Sequence, residues 1–118
     1  MRTLRCALVL GVLATVSACS ESRDCSYTDA GIAFGLSVTV RNGNNLVCDA
    51  TVTATDGSYS ETLRRQNSDC SYAGAAERPG TYSVTATAGS TTATVTGVRV
   101  GSDRCHVGLE VVTIQLNP

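Results

Sequence analysis

The sequence predicts an all-β protein, an antiparallel β-sandwich of seven short strands behind a cleaved signal peptide. Three observations lead to this class. Thr, Val and Ser dominate the chain from residue 32 onward, apolar residues there alternate with polar ones, and turn residues recur at close intervals. Side chains on a strand point to opposite faces in turn, so the alternation marks strands with one buried face. Several such strands separated by turn signals are typical of a sandwich.

The first strand lies in IAFGLSVTVRN, which starts at residue 32. Its apolar residues share one parity, and we expect them to face the core: Ile32, Phe34, Leu36, Val38 and Val40. The stretch NGNN, 42–45, follows directly. Asn and Gly tolerate positive φ, so this stretch predicts a tight turn.

The middle of the chain predicts a hairpin and a weaker strand. The segments DATVTATD, 49–56, and SYSETLRRQ, 58–66, alternate and meet at Asp56-Gly57. That dipeptide is typical of hairpin turns. The segment CSYAGAAE, 70–77, is short, and we expect an edge strand or irregular chain there.

Three further strands complete the seven. The segment TYSVTATA, 81–88, alternates clearly. In TTATVTGVRV, 91–100, the apolar parity changes at Gly97, which predicts a β-bulge, because one extra residue there restores the inward face. In HVGLEVVTIQL, 106–116, apolar residues occupy both parities. We expect either burial of both faces or a second bulge.

The first eighteen residues predict a secretory signal. The basic start MRTLR precedes the apolar run CALVLGVLATV, which is shorter than the ~20 residues that a transmembrane helix needs. The run ends in Val16-Ser17-Ala18-Cys19, which resembles the lipobox of bacterial lipoproteins. The resemblance implies a diacylglycerol on Cys19 and cleavage just before it. The alternative is an ordinary cleaved signal, which leaves an exported soluble protein.

These segments define the expected organisation: a signal peptide over 1–18, a lipidated tether over 19–31 and a β-sandwich domain over 32–118. The lipid bilayer is then a partner through acylated Cys19, because each buried methylene contributes ~0.8 kcal/mol. Residue 20 is Ser rather than Asp. By resemblance to lipoprotein sorting in Gram-negative bacteria, this implies the outer membrane.

The cysteines predict two disulfides. Once Cys6 and Cys19 are assigned to the signal and the lipid, an even number remains, which in a small exported domain favours disulfides. Three pairings are possible. If consecutive strands alternate in direction, the expected bonds join cysteines at the same end of the domain: Cys48–Cys70 and Cys25–Cys105.

Composition argues against several function classes. Removal of the signal leaves seven arginines and ten acidic residues, so a nucleic-acid partner is not expected. The chain has no CxxC pair and one histidine, His106, so we expect no metal site and no cofactor. His106 adjoins Cys105, and neighbours on one strand point apart, which argues against a catalytic dyad. His106 and Glu110 could form an ion pair or half of a weak metal site. We expect no catalytic residues.

Three stretches carry a family resemblance: LSVTVRNG, 36–43, CDATVTATDGSY, 48–59, and PGTYSVTATAG, 79–89. Together they resemble the carboxypeptidase regulatory-like domain. The resemblance implies an Ig-like, prealbumin-like (transthyretin-like) topology. It also implies an accessory, adhesion or binding role rather than catalysis.

Two functions therefore remain open. The first is a membrane-anchored envelope lipoprotein whose sandwich is a non-catalytic protein-binding or structural module, with an envelope protein as partner. The second is a lipoprotein that binds a small ligand or a glycan. Exposed aromatic side chains on a concave face would favour the second function. A polar surface with an open strand edge would favour the first.

Overall fold

A computed structural model describes residues 31–66 and 68–117. The predicted signal peptide 1–18, the lipidation site Cys19 and the tether up to residue 30 lie outside the described residues. Within the described ranges the chain is all-β, with these strands: β1 (Phe34–Asn42), β2 (Asn45–Leu46), β3 (Thr51–Asp56), β4 (Tyr59–Thr62), β5 (Arg64–Arg65), β6 (Ser71–Ala76), β7 (Gly80–Ala88), β8 (Thr91–Val100) and β9 (Glu110–Gln115). The described part of the chain contains no helix long and apolar enough to cross a membrane.

The strands form two sheets that pack face to face. In the first sheet, β1 lies between β9 on one side and β6 on the other, and β5 lies beyond β6. The two residues of β2 pair with the end of β1. The second sheet has the order β4-β3-β7-β8. All neighbours are antiparallel except β9, which runs parallel to β1. The expected sandwich is therefore confirmed, with one parallel pair that the alternation did not predict.

The expected count of seven strands is wrong, because the segment 58–66 serves both sheets. Its first part, β4, pairs with β3, and its second part, β5, pairs with β6. The crossing point is Leu63, whose backbone N–H donates to the Val52 carbonyl at 2.8 Å. The Leu63 side chain is buried in the core between the sheets. Together with the short strand β2, this division gives nine strands.

Three hairpins turn on two-residue loops that begin with glycine: Gly43-Asn44, Gly57-Ser58 and Gly89-Ser90. The glycines have φ values of 66°, 63° and 62°. The residue after each glycine does not have positive φ, as in type II′ turns. The turns expected at 42–45, 56–57 and 89–90 are confirmed.

The predicted bulge in β8 is also confirmed. Tyr82 pairs with Val98, whereas Val84 pairs with Val95, so β8 carries one extra residue between these pairs. Gly97 lies in this interval with φ 71°. The extra residue returns Val98 to the core, where it is buried with its neighbours.

The core lies between the two sheets and is built from the inward parity of each long strand. Its largest fully buried side chains are Tyr72, Tyr82, Leu36, Ile114, Val38, Val40, Val52 and Val84. Both buried tyrosines have hydrogen-bond partners, as buried hydroxyls require. The hydroxyl of Tyr72 donates to the Val47 carbonyl at 2.8 Å and accepts from the Ala50 N–H at 3.0 Å.

Three expectations about the core are wrong. Ile32 and Phe34, which we expected in the core, are 72% and 42% exposed, because β1 begins only at Phe34. The segment 70–77 forms β6, an interior strand between β1 and β5, rather than an edge strand. β9 has one buried face and no second bulge, because the strand begins only at Glu110 and leaves Val111 exposed.

The expected bond between Cys48 and Cys70 is present, with Cα atoms 4.9 Å apart. Cys105 is also disulfide-bonded. Its expected partner, Cys25, lies outside the described residues, so that pairing stays a prediction. The Cys48–Cys70 bond links the chain after β2 to the chain before β6.

Pairing directions give the sandwich two ends. β1 and β9 begin at the same end, because they are parallel. β6 is antiparallel to β1, so it finishes at that end and passes directly to β7 through 77–79. We call this the entry end, because the described chain enters it at Gly31. The opposite end, which carries the Cys48–Cys70 bond, is the far end.

Candidate binding surface

The open side of β9 is the main candidate for a binding surface. β9 pairs with β1 on one side, and no strand of the described chain pairs with it on the other. The Leu116 N–H donates to the Arg41 carbonyl at 2.8 Å. Backbone groups on a strand alternate in direction, so those of Val111, Thr113 and Gln115 face the open side. We call this side the β9 edge.

The β9 edge lacks the usual protection against strand addition. Native edge strands are commonly blunted by charges, proline or bulges. β8, the edge strand of the second sheet on the same side, carries the Gly97 bulge. After Glu110, the exposed side chains of β9 are Val111, Thr113 and Gln115, which are all uncharged. The backbone pattern therefore leaves a template for another strand.

The outer face of the second sheet is covered by hydroxyl groups. One row across all four strands consists of threonines: Thr62, Thr53, Thr85 and Thr94. Thr85 and Thr94 share a hydrogen bond of 2.9 Å between their Oγ1 atoms. Such cross-strand pairs stabilise a sheet. We call this surface the threonine face. It gives the sandwich a polar outer surface without carboxylates among its paired residues.

Arg78 and its side-chain partners form a cluster at the entry end of the second sheet. Arg78 Nη1 lies 3.1 Å from Asp56 Oδ2 and 3.1 Å from the Tyr82 hydroxyl. The Tyr82 hydroxyl donates to the Arg78 carbonyl at 2.7 Å. Arg78 Cζ also lies 3.7 Å from the centre of the Tyr59 ring, a cation–π contact. The hydrogen bonds with Tyr82 and Asp56 raise the pKa of Arg78, so the guanidinium stays charged and bound.

Tyr59 belongs to the same cluster and has a fixed proton. Its hydroxyl donates to Glu61 Oε1 at 2.6 Å, and the same oxygen accepts the Ala75 N–H at 3.0 Å. The hydrogen bond to Glu61, together with burial, raises the pKa of Tyr59 to about 12. This tyrosine therefore stays protonated at neutral pH, and its contacts are those of a structural residue.

Glu77 links three segments at the entry end. Its Oε2 accepts from the Ala33 N–H at 2.9 Å and lies 2.5 Å from His106 Nδ1. Its Oε1 accepts from the Val107 N–H at 3.2 Å. The hydrogen bonds from Ala33 and His106 lower the pKa of Glu77. This link ties the start of the domain to the loop between β8 and β9.

The structure differs from the sequence prediction at His106. The histidine lies in the loop before β9 rather than on a strand, and its carboxylate partner is Glu77 rather than Glu110. Sequence spacing could not indicate this, because the two residues are 29 positions apart. No group of three potential metal-binding side chains occurs in the part of the chain that the structure describes.

Of the predicted site residues, Cys48 and Cys70 lie together, and Cys105 is disulfide-bonded elsewhere. Cys19 and Cys25 lie outside the described residues. The β9 edge was not predicted. The signal in the sequence is the short uncharged run VVTIQ, 111–115, which periodicity alone predicts to be a strand buried on both faces.

The aromatic side chains of the described chain do not form an exposed row. Tyr72 and Tyr82 are buried, Tyr59 lies beneath Arg78, and Phe34 is exposed at the start of β1. No protein-family model matches the chain, and comparisons with curated proteins and with solved structures gave no significant match. The fold and the surface geometry are therefore the basis for a functional proposal.

Proposed function

We propose that this protein is an exported lipoprotein, anchored at acylated Cys19, whose β-sandwich is a non-catalytic protein-binding module of the cell envelope. The observation that carries the proposal is the β9 edge, whose exposed side chains after Glu110 are uncharged and whose outer side pairs with no strand of the described chain. The partner is an envelope protein that presents an extended segment. The membrane is the outer membrane, as residue 20 implies.

Disulfide chemistry supports export. Cys48 is bonded to Cys70, and Cys105 is disulfide-bonded as well. Such bonds persist in oxidising compartments and are rare in the cytosol. A signal with a lipobox directs a chain to such a compartment. We include two further elements in the proposal: Cys25 as the partner of Cys105, and a prealbumin-like domain of the carboxypeptidase regulatory-like type.

Strand addition explains how such a module would bind. A partner segment would exchange main-chain hydrogen bonds with Val111, Thr113 and Gln115, and these bonds supply affinity for any extended chain. The alternating side chains along the edge supply selectivity. The alternative role, small-ligand or glycan binding, is the weaker one, because stacking on a sugar requires exposed rings and Tyr72 and Tyr82 are buried, which leaves Phe34 as the exposed ring of the described chain.

The proposal is tested by blocking the edge. Thr113→Pro removes one outward N–H and leaves the ladder to β1 intact, since proline is tolerated at a strand's solvent side. Thr113→Val keeps the N–H and is the matched control. A photo-crosslinking residue in place of Val111, in whole cells, should form an adduct that Thr113→Pro abolishes and Thr113→Val preserves.

A crosslinking residue in place of Thr51, on the threonine face, is the control for position. Equal adducts from positions 51 and 111, or no adduct from either, would contradict strand addition. An adduct that survives in Thr113→Pro, with the thermal transition of the domain unchanged, would contradict it as well. These outcomes concern the binding edge only, because membrane anchoring depends on Cys19.

A further inference from the structure

The large apolar side chains that remain exposed are concentrated at the entry end. Ile32 is 72% exposed, Leu109 58% and Phe34 42%. We call these three residues the apolar rim. Val111 continues the series along β9, whereas Leu46 is the one exposed large apolar residue at the far end of the described chain. Clustered apolar exposure of this kind marks a contact surface rather than chance.

Glu77 brings the parts of the apolar rim together. Its carboxylate binds the Ala33 N–H, and Ala33 lies between Ile32 and Phe34. The same carboxylate binds the Val107 N–H, two residues before Leu109. Because one side chain holds both segments, the three apolar residues occupy one region of the entry end instead of separate loops.

Two neighbouring carboxylates have charged partners, whereas Glu110, between Leu109 and Val111, is exposed. Asp56 binds Arg78 at 3.1 Å, and Glu77 binds His106 at 2.5 Å. A paired carboxylate loses less hydration free energy when it approaches an apolar surface than a fully solvated carboxylate does. The entry end is therefore compatible with an interfacial neighbour, where the carboxylate of Glu110 can keep its water.

The tether defines what that neighbour is. Gly31, where the described chain enters the domain, lies twelve positions after Cys19. A chain of that length spans at most ~43 Å even when fully extended. We propose that the apolar rim rests on the surface of the bilayer that holds the Cys19 lipid. This inference rests on the lipid anchor of the proposed function and adds an orientation to it.

The orientation has a consequence for binding. β9 begins at the entry end and runs toward the far end. With the apolar rim on the bilayer, the β9 edge stands upright from the membrane surface. A partner strand would then bind beside the bilayer, and the far end with the Cys48–Cys70 bond would point away from the lipid.

Tryptophan fluorescence tests this orientation, because the chain contains no tryptophan. Leu109→Trp places a probe in the apolar rim, and Leu46→Trp places a matched probe at the far end. Each variant is prepared both lipidated and as a Cys19→Ala chain with a histidine tag at residue 19. The tagged chain is held on phosphatidylcholine vesicles by a nickel-chelating lipid. Brominated phosphatidylcholine then reports contact with acyl chains.

We expect a blue-shifted emission from Leu109→Trp and a severalfold larger loss on bromination than from Leu46→Trp, in both preparations. Equal losses at the two positions, or none at either, would overturn the orientation. So would a blue-shifted but unquenched signal at position 109, which would indicate that residues 20–30 cover the apolar rim. If only the lipidated preparation fails to bind vesicles, the lipid anchor is wrong while the tagged chain still tests the orientation.

Discussion

At the scale of residues, the carboxylate of Glu77 has the most consequences for the domain. The residue has φ 50°, in the left-handed region, and its side chain accepts hydrogen bonds from two segments distant in sequence. The bonds from Ala33 and His106 lower its pKa. A carboxyl whose pKa is lowered in the folded state stabilises that state above its ordinary value of 4.5. This stability is lost as the pH falls through the lowered folded value.

We therefore predict that Glu77→Gln weakens the domain at neutral pH and flattens its loss of stability in acid. The amide keeps an acceptor oxygen but loses the charge that His106 and the backbone donors favour. Urea unfolding from neutral pH to well below 4.5 measures this. Glu110→Gln, at an exposed residue that begins β9, is the control. It should leave the dependence of the free energy of unfolding on pH in acid unchanged. If the free energy of unfolding of Glu77→Gln depended on pH in the same way as that of the unchanged protein, the role of this carboxylate would be refuted.

Residue-level contacts are the least predictable from sequence. The inward parity of Leu36, Val38 and Val40 is predicted correctly, because burial follows directly from alternation. The pairing of His106 with Glu77 is not, because it depends on two loops meeting at one end of the sandwich. Alternation also extends beyond the ends of a strand, which is why it wrongly predicts a buried Ile32.

At the scale of elements, β8 shows that periodicity can predict an irregularity within a strand. The change of parity at Gly97 predicts the bulge, because each side of the switch keeps its own inward face. The break between β4 and β5 leaves no such mark. The strand passes from one sheet to the other at Leu63 without a turn residue. The prediction for β6 is wrong because the small residues at 73–76, AGAA, fit inside a sheet as well as at an edge.

The bulge at Gly97 is tested by comparing two glycine-to-alanine variants. Gly97→Ala puts a Cβ on a residue with φ 71°, which costs ~1–2 kcal/mol although no atom lies within 4 Å of the new group. Gly101→Ala also meets open space but lacks positive φ, so it should be neutral or slightly stabilising. For a domain of this size, the first change should lower Tm by roughly 4–16 °C in a thermal scan.

Equal melting temperatures for the two alanine variants would contradict the assigned bulge. A loss of stability in Gly101→Ala alone would do the same. At both residues no atom lies within 4 Å of the added Cβ. The difference in Tm between the two variants therefore reports the cost of the backbone conformation at Gly97.

At the scale of the whole molecule, the sandwich has two distinct ends. The entry end carries the apolar rim and the paired charges of Glu77 and Arg78. The far end carries the Cys48–Cys70 bond, which closes a separation of 22 residues and contributes ~3 kcal/mol in the chain-entropy account. The fold class is predictable from the alternation, whereas this disulfide is predicted correctly only with the added assumption that consecutive strands alternate in direction. The open β9 edge requires the order of strands in space.

Intact-mass spectrometry of the protein purified from envelope membranes tests the lipid anchor at Cys19. We expect a chain that lacks residues 1–18 and carries diacylglycerol and an acyl group on Cys19. We further expect that Cys19→Ala releases the protein from the membrane fraction. A mature chain without lipid on Cys19 would contradict the lipid anchor. A Cys19→Ala chain that remains in the membrane fraction would contradict it as well.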